Sequence, residues 1–199
     1  MKHLIIILSL FLFSSTFISC KSSDDGSKST DNTTTDNTTT STGLFVTVGD
    51  SGTILTSPDG TTWTKRTSGT SRYLRGVTYG NSTFVTVGDN GTILTSTDGT
   101  SWTERTSGTS NTLNRVTYGN GTFVTVSWEG TILTSTDGTS WTERTSGTSN
   151  TLMGVTYGNS TFVVVVGTLG TVLTSSDLTT WTSRTSNTSN NLLEVTYKE

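Results

Sequence analysis

Leu74–Ser107 reads LRGVTYGNSTFVTVGDNGTILTSTDGTSWTERTS. Four short runs lie in it: Leu74–Gly80, Asn81–Asp89, Gly91–Thr97 and Thr100–Ser107. Each sets Thr or Ser beside Val, Ile, Leu, Phe, Tyr or Trp, and Gly, Asn, Asp or Ser bounds each one. Near-alternation of this kind gives a strand two unlike faces, and the bounding residues are those that turns require. The stretch predicts four consecutive antiparallel strands, A to D.

Its surroundings repeat it. Gly91–Leu113 recurs without change as Gly130–Leu152. Phe45, Phe84, Phe123 and Phe162 fall 39 residues apart; Trp63, Trp102 and Trp141 keep that step, and Trp181 follows at 40. A period near 40 with four strands in each unit predicts a β-propeller blade, a better match than the competing β-solenoid. The first unit begins at strand B (Gly43–Asp50) and lacks strand A, while Asn191–Glu199, NLLEVTYKE, is a lone strand A. The expectation is an all-β, four-bladed propeller over residues 43–199, closed by pairing of the C-terminal strand with the first blade. The same two ends can instead pair between two chains as an eight-bladed dimer, against a closed monomer.

Composition agrees with an all-β chain. Fifty threonines and 21 glycines accompany one proline, with 14% charged and 29% hydrophobic residues. Threonine is β-branched and suits strands. A net charge of −3 provides no basic field for nucleic acid.

Residues 1–19 carry a basic start at Lys2 and an apolar stretch from Leu4 to Phe13, shorter than the ~20 residues that span a bilayer. Thr16-Phe17-Ile18-Ser19-Cys20 resembles the lipobox of bacterial lipoproteins. The resemblance implies a signal peptide cut before Cys20, a lipid on its thiol, and a place in the bacterial cell envelope. An uncleaved anchor is the alternative. Lys21–Thr42 holds no apolar residue, so residues 20–42 read as a lipidated cysteine and a solvated tether. A flexible chain of that length spans roughly 25 Å.

The C–D connections SPDGTTW (Ser57–Trp63), STDGTSW (Ser96–Trp102 and Ser135–Trp141) and SSDLTTW (Ser175–Trp181) resemble the Asp-box, or BNR, repeats of sialidases and related propellers. They are one residue shorter between Asp and Gly. The whole of residues 43–199 is similar to photosystem II assembly factor propellers and other WD40/YVTN/BNR-like proteins. Such a box is a turn. Asp59, Asp98, Asp137 and Asp177 are expected to accept backbone N–H groups two residues on. Gly60, Gly99 and Gly138 then take positive φ, and Trp63, Trp102, Trp141 and Trp181 pack beneath. Blade four has Leu178 in the glycine position.

Catalytic constellations are missing from this pattern. Arg66, Arg105, Arg144 and Arg184 repeat at one place after each Trp, which suits a structural role and not the arginine clamp of a sialidase. The only histidine is His3 and the only cysteine Cys20, so no His-dependent triad or thiolate nucleophile can form beyond the leader. No enzyme, cofactor or metal is expected.

Departures from the repeat point elsewhere. The B–C turn reads GDSG, GDNG, SWEG and GTLG in blades one to four, placing Trp128 and Glu129 in blade three alone. The D–A connection reads SGTSRY into blade two and SGTSNT into the next two, which contributes Arg72 and Tyr73. Both loops lie on one propeller face, so these four residues are candidates for a protein or glycan site, being of types favoured at interface hot spots. Simple packing of Trp128 on its neighbours is the plainer reading. Asp50, Asp89 and Glu129 can also ring a cation there. Aligned strand A copies put Gly76, Arg115, Gly154 and Glu194 at one position. In a closed ring Arg115 and Glu194 would meet across the channel, with a glycine on each side. The chain thus reads as a non-catalytic, lipid-anchored extracytoplasmic binding or scaffold module. A passive surface antigen and an assembly factor for a membrane complex are the alternatives.

Overall fold

The structure is a computed structural model and describes residues Gly43–Glu199. The expected signal peptide, the expected lipidation at Cys20 and the expected tether fall on residues 1–42, outside the described residues. Fifteen strands form four antiparallel sheets. Blade one has β1 (Phe45–Val48), β2 (Ile54–Ser57) and β3 (Thr64–Arg66). Blade two has β4 (Leu74–Gly80), β5 (Thr83–Gly88), β6 (Ile93–Ser96) and β7 (Thr103–Arg105). Blade three has β8 (Leu113–Gly119), β9 (Thr122–Ser127), β10 (Thr131–Ser135) and β11 (Thr142–Thr145). Blade four has β12 (Leu152–Gly158), β13 (Thr161–Val166), β14 (Val172–Ser175) and β15 (Thr182–Arg184). Each sheet is a simple meander, and the fold is a β-propeller array of four blades.

Local chemistry sets each turn. The A–B hairpins are two-residue loops with left-handed backbone at both positions: Asn81 (φ 45°) with Ser82 (55°), Asn120 (46°) with Gly121 (74°), and Asn159 (46°) with Ser160 (56°). Such turns match strand twist, and asparagine tolerates their conformation. The strand A copies β4, β8 and β12 lie side by side. Gly80, Gly119 and Gly158 leave no room for a Cβ because the rings of Tyr118, Tyr157 and Tyr197 cover them.

Core forms between blades. Phe123, Leu113, Val116 and Leu133 meet Val85, Val87 and Ile93 between blades two and three. Phe162, Val164, Val166 and Leu173 meet Val124, Val126 and Ile132 between blades three and four. Blades three and four thus turn the strand B Phe and strand C Leu toward the preceding blade, while Val85, Val87 and Ile93 of blade two and Val124, Val126 and Ile132 of blade three face the following one. Tyr79, Tyr118 and Tyr157 close over Phe84, Phe123 and Phe162, with centroids 4.5, 4.7 and 4.7 Å apart.

The expected closure is not formed. Blade one is three-stranded, and Asn191–Glu199 makes no ladder with β1. The C-terminal segment follows β12 in the inner row, with Tyr197 over Gly158 and Glu194 beside Gly154. The box tryptophans also depart from full burial. Trp102, Trp141 and Trp181 are half-buried, each leaning on the core shared with the preceding blade. Trp63 is 41% exposed. Trp63 is the most exposed of the four because blade one has no preceding blade among the described residues to cover it.

Candidate binding face

Backbone hydrogen bonds stitch the B–C turns to the D–A connections. The Gly52 amide donates to the Arg72 carbonyl (2.8 Å), Asp89 to Tyr73 (3.0 Å) and Trp128 to Thr112 (3.1 Å). Departures in either loop therefore share one face. Tyr73 is 43% exposed and Trp128 is 48% exposed.

Between them stands Arg75, which the sequence reading did not single out. Its guanidinium carbon lies 4.9 Å from the Tyr73 ring centroid and 6.0 Å from that of Trp128. Its Nε donates to Asp89 Oδ1 at 2.6 Å. The backbone explains its position. Register slips between Leu74 and Gly76, so Arg75 is the extra residue of a β-bulge, and a bulge re-aims its side chain. The same bulge recurs at Asn114 and Met153. There Asn114 donates to the Leu152 carbonyl (2.8 Å) and Met153 packs over Gly167. The signal that could have found Arg75 was available: the bulge position reads Arg, Asn, Met, Leu across the four copies.

The other candidates are dispersed. Arg72 turns toward Asn90 in its own blade's B–C turn. Glu129 is exposed and holds left-handed backbone (φ 57°), a strained conformation for a long side chain. Asp89 is engaged by Arg75, and among the described residues no three metal-ligating side chains gather with Asp50 or Glu129. Arg115 and Glu194 do meet, Nε to Oε2 at 2.7 Å. They do so over Gly154, two places along the open inner row, and not across a closed axis. Arg115 also donates to the Asn114 carbonyl at 2.9 Å, and the pair stays 43% and 56% exposed.

The boxes and the repeated arginines are occupied within their own blades. Asp59 Oδ1 accepts from the Thr61 and Thr62 amides (2.8 and 2.9 Å) and from the Ser57 hydroxyl (2.9 Å). Asp98, Asp137 and Asp177 repeat this arrangement. These bonds favour the ionised form and hold the carboxyls below the usual range, chiefly through the Thr62 amide at Asp59, the Thr100 side chain at Asp98 and the Thr180 amide at Asp177. Gly60, Gly99 and Gly138 have φ of 71–73°, and Leu178 is forced to 63°. Trp102 and Trp141 donate to the Gly99 and Gly138 carbonyls, while Trp181 Nε1, in the blade with Leu178, is buried without a partner among the described residues. Arg66, Arg105, Arg144 and Arg184 donate to Thr56, Thr95, Thr134 and Thr174 at 2.8–3.0 Å. They brace strand D on strand C of one sheet, and do not converge.

The sequence matches no family model and no curated protein. Solved structures match the fold. A structure described as YCF48 bound to D1 peptide aligns at 21% identity with a TM-score of 0.60, covering 75% of this chain and 52% of that one. YCF48 from Cyanidioschyzon merolae aligns at 19% identity and a TM-score of 0.58, covering 76% and 55%. The computationally designed Ika8 protein aligns at 14% identity and 0.54, covering 77% and 52%. The chain thus spans about half the length of these structures. At such identities the likeness establishes the β-propeller fold alone.

Proposed function

We propose that this chain is a non-catalytic binding or scaffold module, held outside the cytoplasm by a lipid on Cys20 and presenting the Tyr73–Arg75–Trp128 face to a protein segment. The lipobox-like Thr16–Cys20 and the wholly polar Lys21–Thr42 support the anchor and the reach. The observation that carries the binding role is the guanidinium set between two half-exposed aromatic rings from adjacent blades. Such a site offers apolar contact, a cation and free edges for hydrogen bonding within one small area. A protein segment is favoured over a glycan because a chain of the same fold is described with a peptide bound.

The test presents the acylated full chain in nanodiscs to envelope-protein peptide arrays and to a glycan array. Captured peptides that bind Trp128→Ala and Arg75→Ala at least tenfold more weakly support the proposal. Glycan capture with the same sensitivity moves the ligand class. Binding indifferent to both substitutions, or no capture, returns the chain to the alternatives of a passive coat or an assembly factor acting through another surface. Metabolic labelling with a palmitate analogue, lost in Cys20→Ser, tests the anchor, and protease shaving of whole cells tests surface display.

A further inference from the structure

Eight large hydrophobic side chains are exposed among the described residues, and five lie at the two open ends of the array. Phe45 (55%) and Trp63 (41%) stand on the face of blade one that no blade covers, and Tyr79 (56%) of blade two borders the place where blade one lacks a strand A. Leu193 (59%) and Tyr197 (46%) stand on the C-terminal segment. The three equivalents of Phe45 each carry a tyrosine from strand A, and Phe45 has none.

The opposite end is its complement. Blade four turns Val163 and Val172 outward, half-buried, where Val85, Val124, Ile93 and Ile132 at the same positions are fully buried by the next blade's Phe and Leu. Asn191–Glu199 contains the Leu-x-x-Val-Thr-Tyr pattern of β4, β8 and β12, already seated on Gly154 and Gly158 but with its ladder edge unused. One end lacks a strand A, and the other presents one.

We propose that two copies of this chain join head to tail, the C-terminal segment of each completing blade one of the other in an eight-bladed ring. A contact of this unlike-ended kind closes only when its rotation divides the circle, so the proposal requires the four blades of each copy to turn through half of it, with one interface used twice. The fold itself is compatible with a longer ring, since the four blades align with only 52–55% of the longer chains of like fold. The register follows from the intact blades. Tyr79 opposes Phe84 and Val77 opposes Thr86, so Tyr197 would oppose Phe45 and Val195 would oppose Thr47 of the second copy. Phe45, Leu55 and Trp63 would then rest on Val163 and Val172. The inner row would read Gly76, Arg115, Gly154, Glu194 twice, placing every Glu194 between two arginines with one glycine on either side. Lys198 stands where Gly80 admits a neighbouring tyrosine, so its flexible stem must turn outward past Tyr79.

The interface is independent of the Tyr73–Arg75–Trp128 site and can fail without it. The experiment co-expresses two full-length variants, Thr47→Cys and Val195→Cys, and separates the membranes on non-reducing gels. The expected result is a disulfide-linked dimer that forms from the mixture and falls at least tenfold with either variant alone. In the double variant the same chain would form linked dimers. A double variant that links within one chain, with no dimer from the mixture, would establish intrachain closure and overturn the proposal, as would no linkage in either. Sedimentation of the unmodified full chain in detergent provides a second reading: twice the chain mass is expected, and chain mass alone at micromolar concentration refutes it.

Discussion

Phe45, Phe84, Phe123 and Phe162 occupy one position in four copies of nearly one sequence, so substituting them separates local from tertiary contributions. Phe123 is fully buried, stacks on Tyr118 at 4.7 Å and touches the core shared with blade two. Phe123→Ala removes that contact and leaves a cavity that the flanking strands cannot collapse, which costs ~3–5 kcal/mol. Phe45 sits in the same strand B setting but is 55% exposed. Scaling the ~1.5–3 kcal/mol of full side-chain burial by its covered fraction gives about 1 kcal/mol for Phe45→Ala in the single chain. For a domain of this size each kcal/mol moves the melting temperature by ~2–4 °C. Urea and thermal unfolding, followed by tryptophan fluorescence at low protein concentration, should thus separate the two variants by several degrees. A Phe45→Ala loss that grows with protein concentration would report burial by a second copy. Equal losses for the two variants at every dilution would refute the reasoning, because blade one would then be covered within the chain.

Other outcomes follow from the same geometry. Arg115→Ala with Glu194→Ala should deviate from additivity by up to ~1 kcal/mol in a double-mutant cycle, the modest value expected of a pair this exposed; strict additivity would make their contact incidental. Leu169 is 71% exposed with φ 57°, so Leu169→Asn should stabilise by ~0.5–1 kcal/mol by relieving left-handed strain, read as a raised melting temperature; a lowered one would show that Leu169 packs on something. The Asp-box carboxyls are held below their unfolded value near ~3.9, so their stabilisation is complete above that pH and is lost as pH falls through the folded value. Melting temperature should stay level from neutrality to about pH 5 and fall below pH 4, and Asp98→Asn should reduce that fall; an unchanged acid limb would assign it to other carboxyls. Trp128→Ala should cost about 1 kcal/mol, as its ring is half covered; a loss approaching that of Phe123→Ala would make it a packing residue.

Strand order, blade count and turn chemistry were legible in the sequence, because each depends on contacts within about 40 residues. Thr–Val alternation fixes the faces of β5 and β9, Asn-Ser and Asn-Gly fix their hairpins, and Ser-x-Asp-Gly fixes the box turn. Tyr73 and Trp128 could be marked as departures from the repeat, and shared loop hydrogen bonds place them on one face. Arg75 escaped notice because its exposure depends on a bulge, which is a property of the β4–β5 register and not of any residue type. The ends were decided by tertiary structure alone. Asn191–Glu199 has the residues of a strand A, and β1 has the residues that strand A pairs with. Whether they meet depends on the rotation accumulated over four blades, a sum of packing angles that no local pattern encodes. The same sum separates Phe45 from Phe123 and Trp63 from Trp102, which share a sequence setting and differ only in whether a preceding blade is there to cover them.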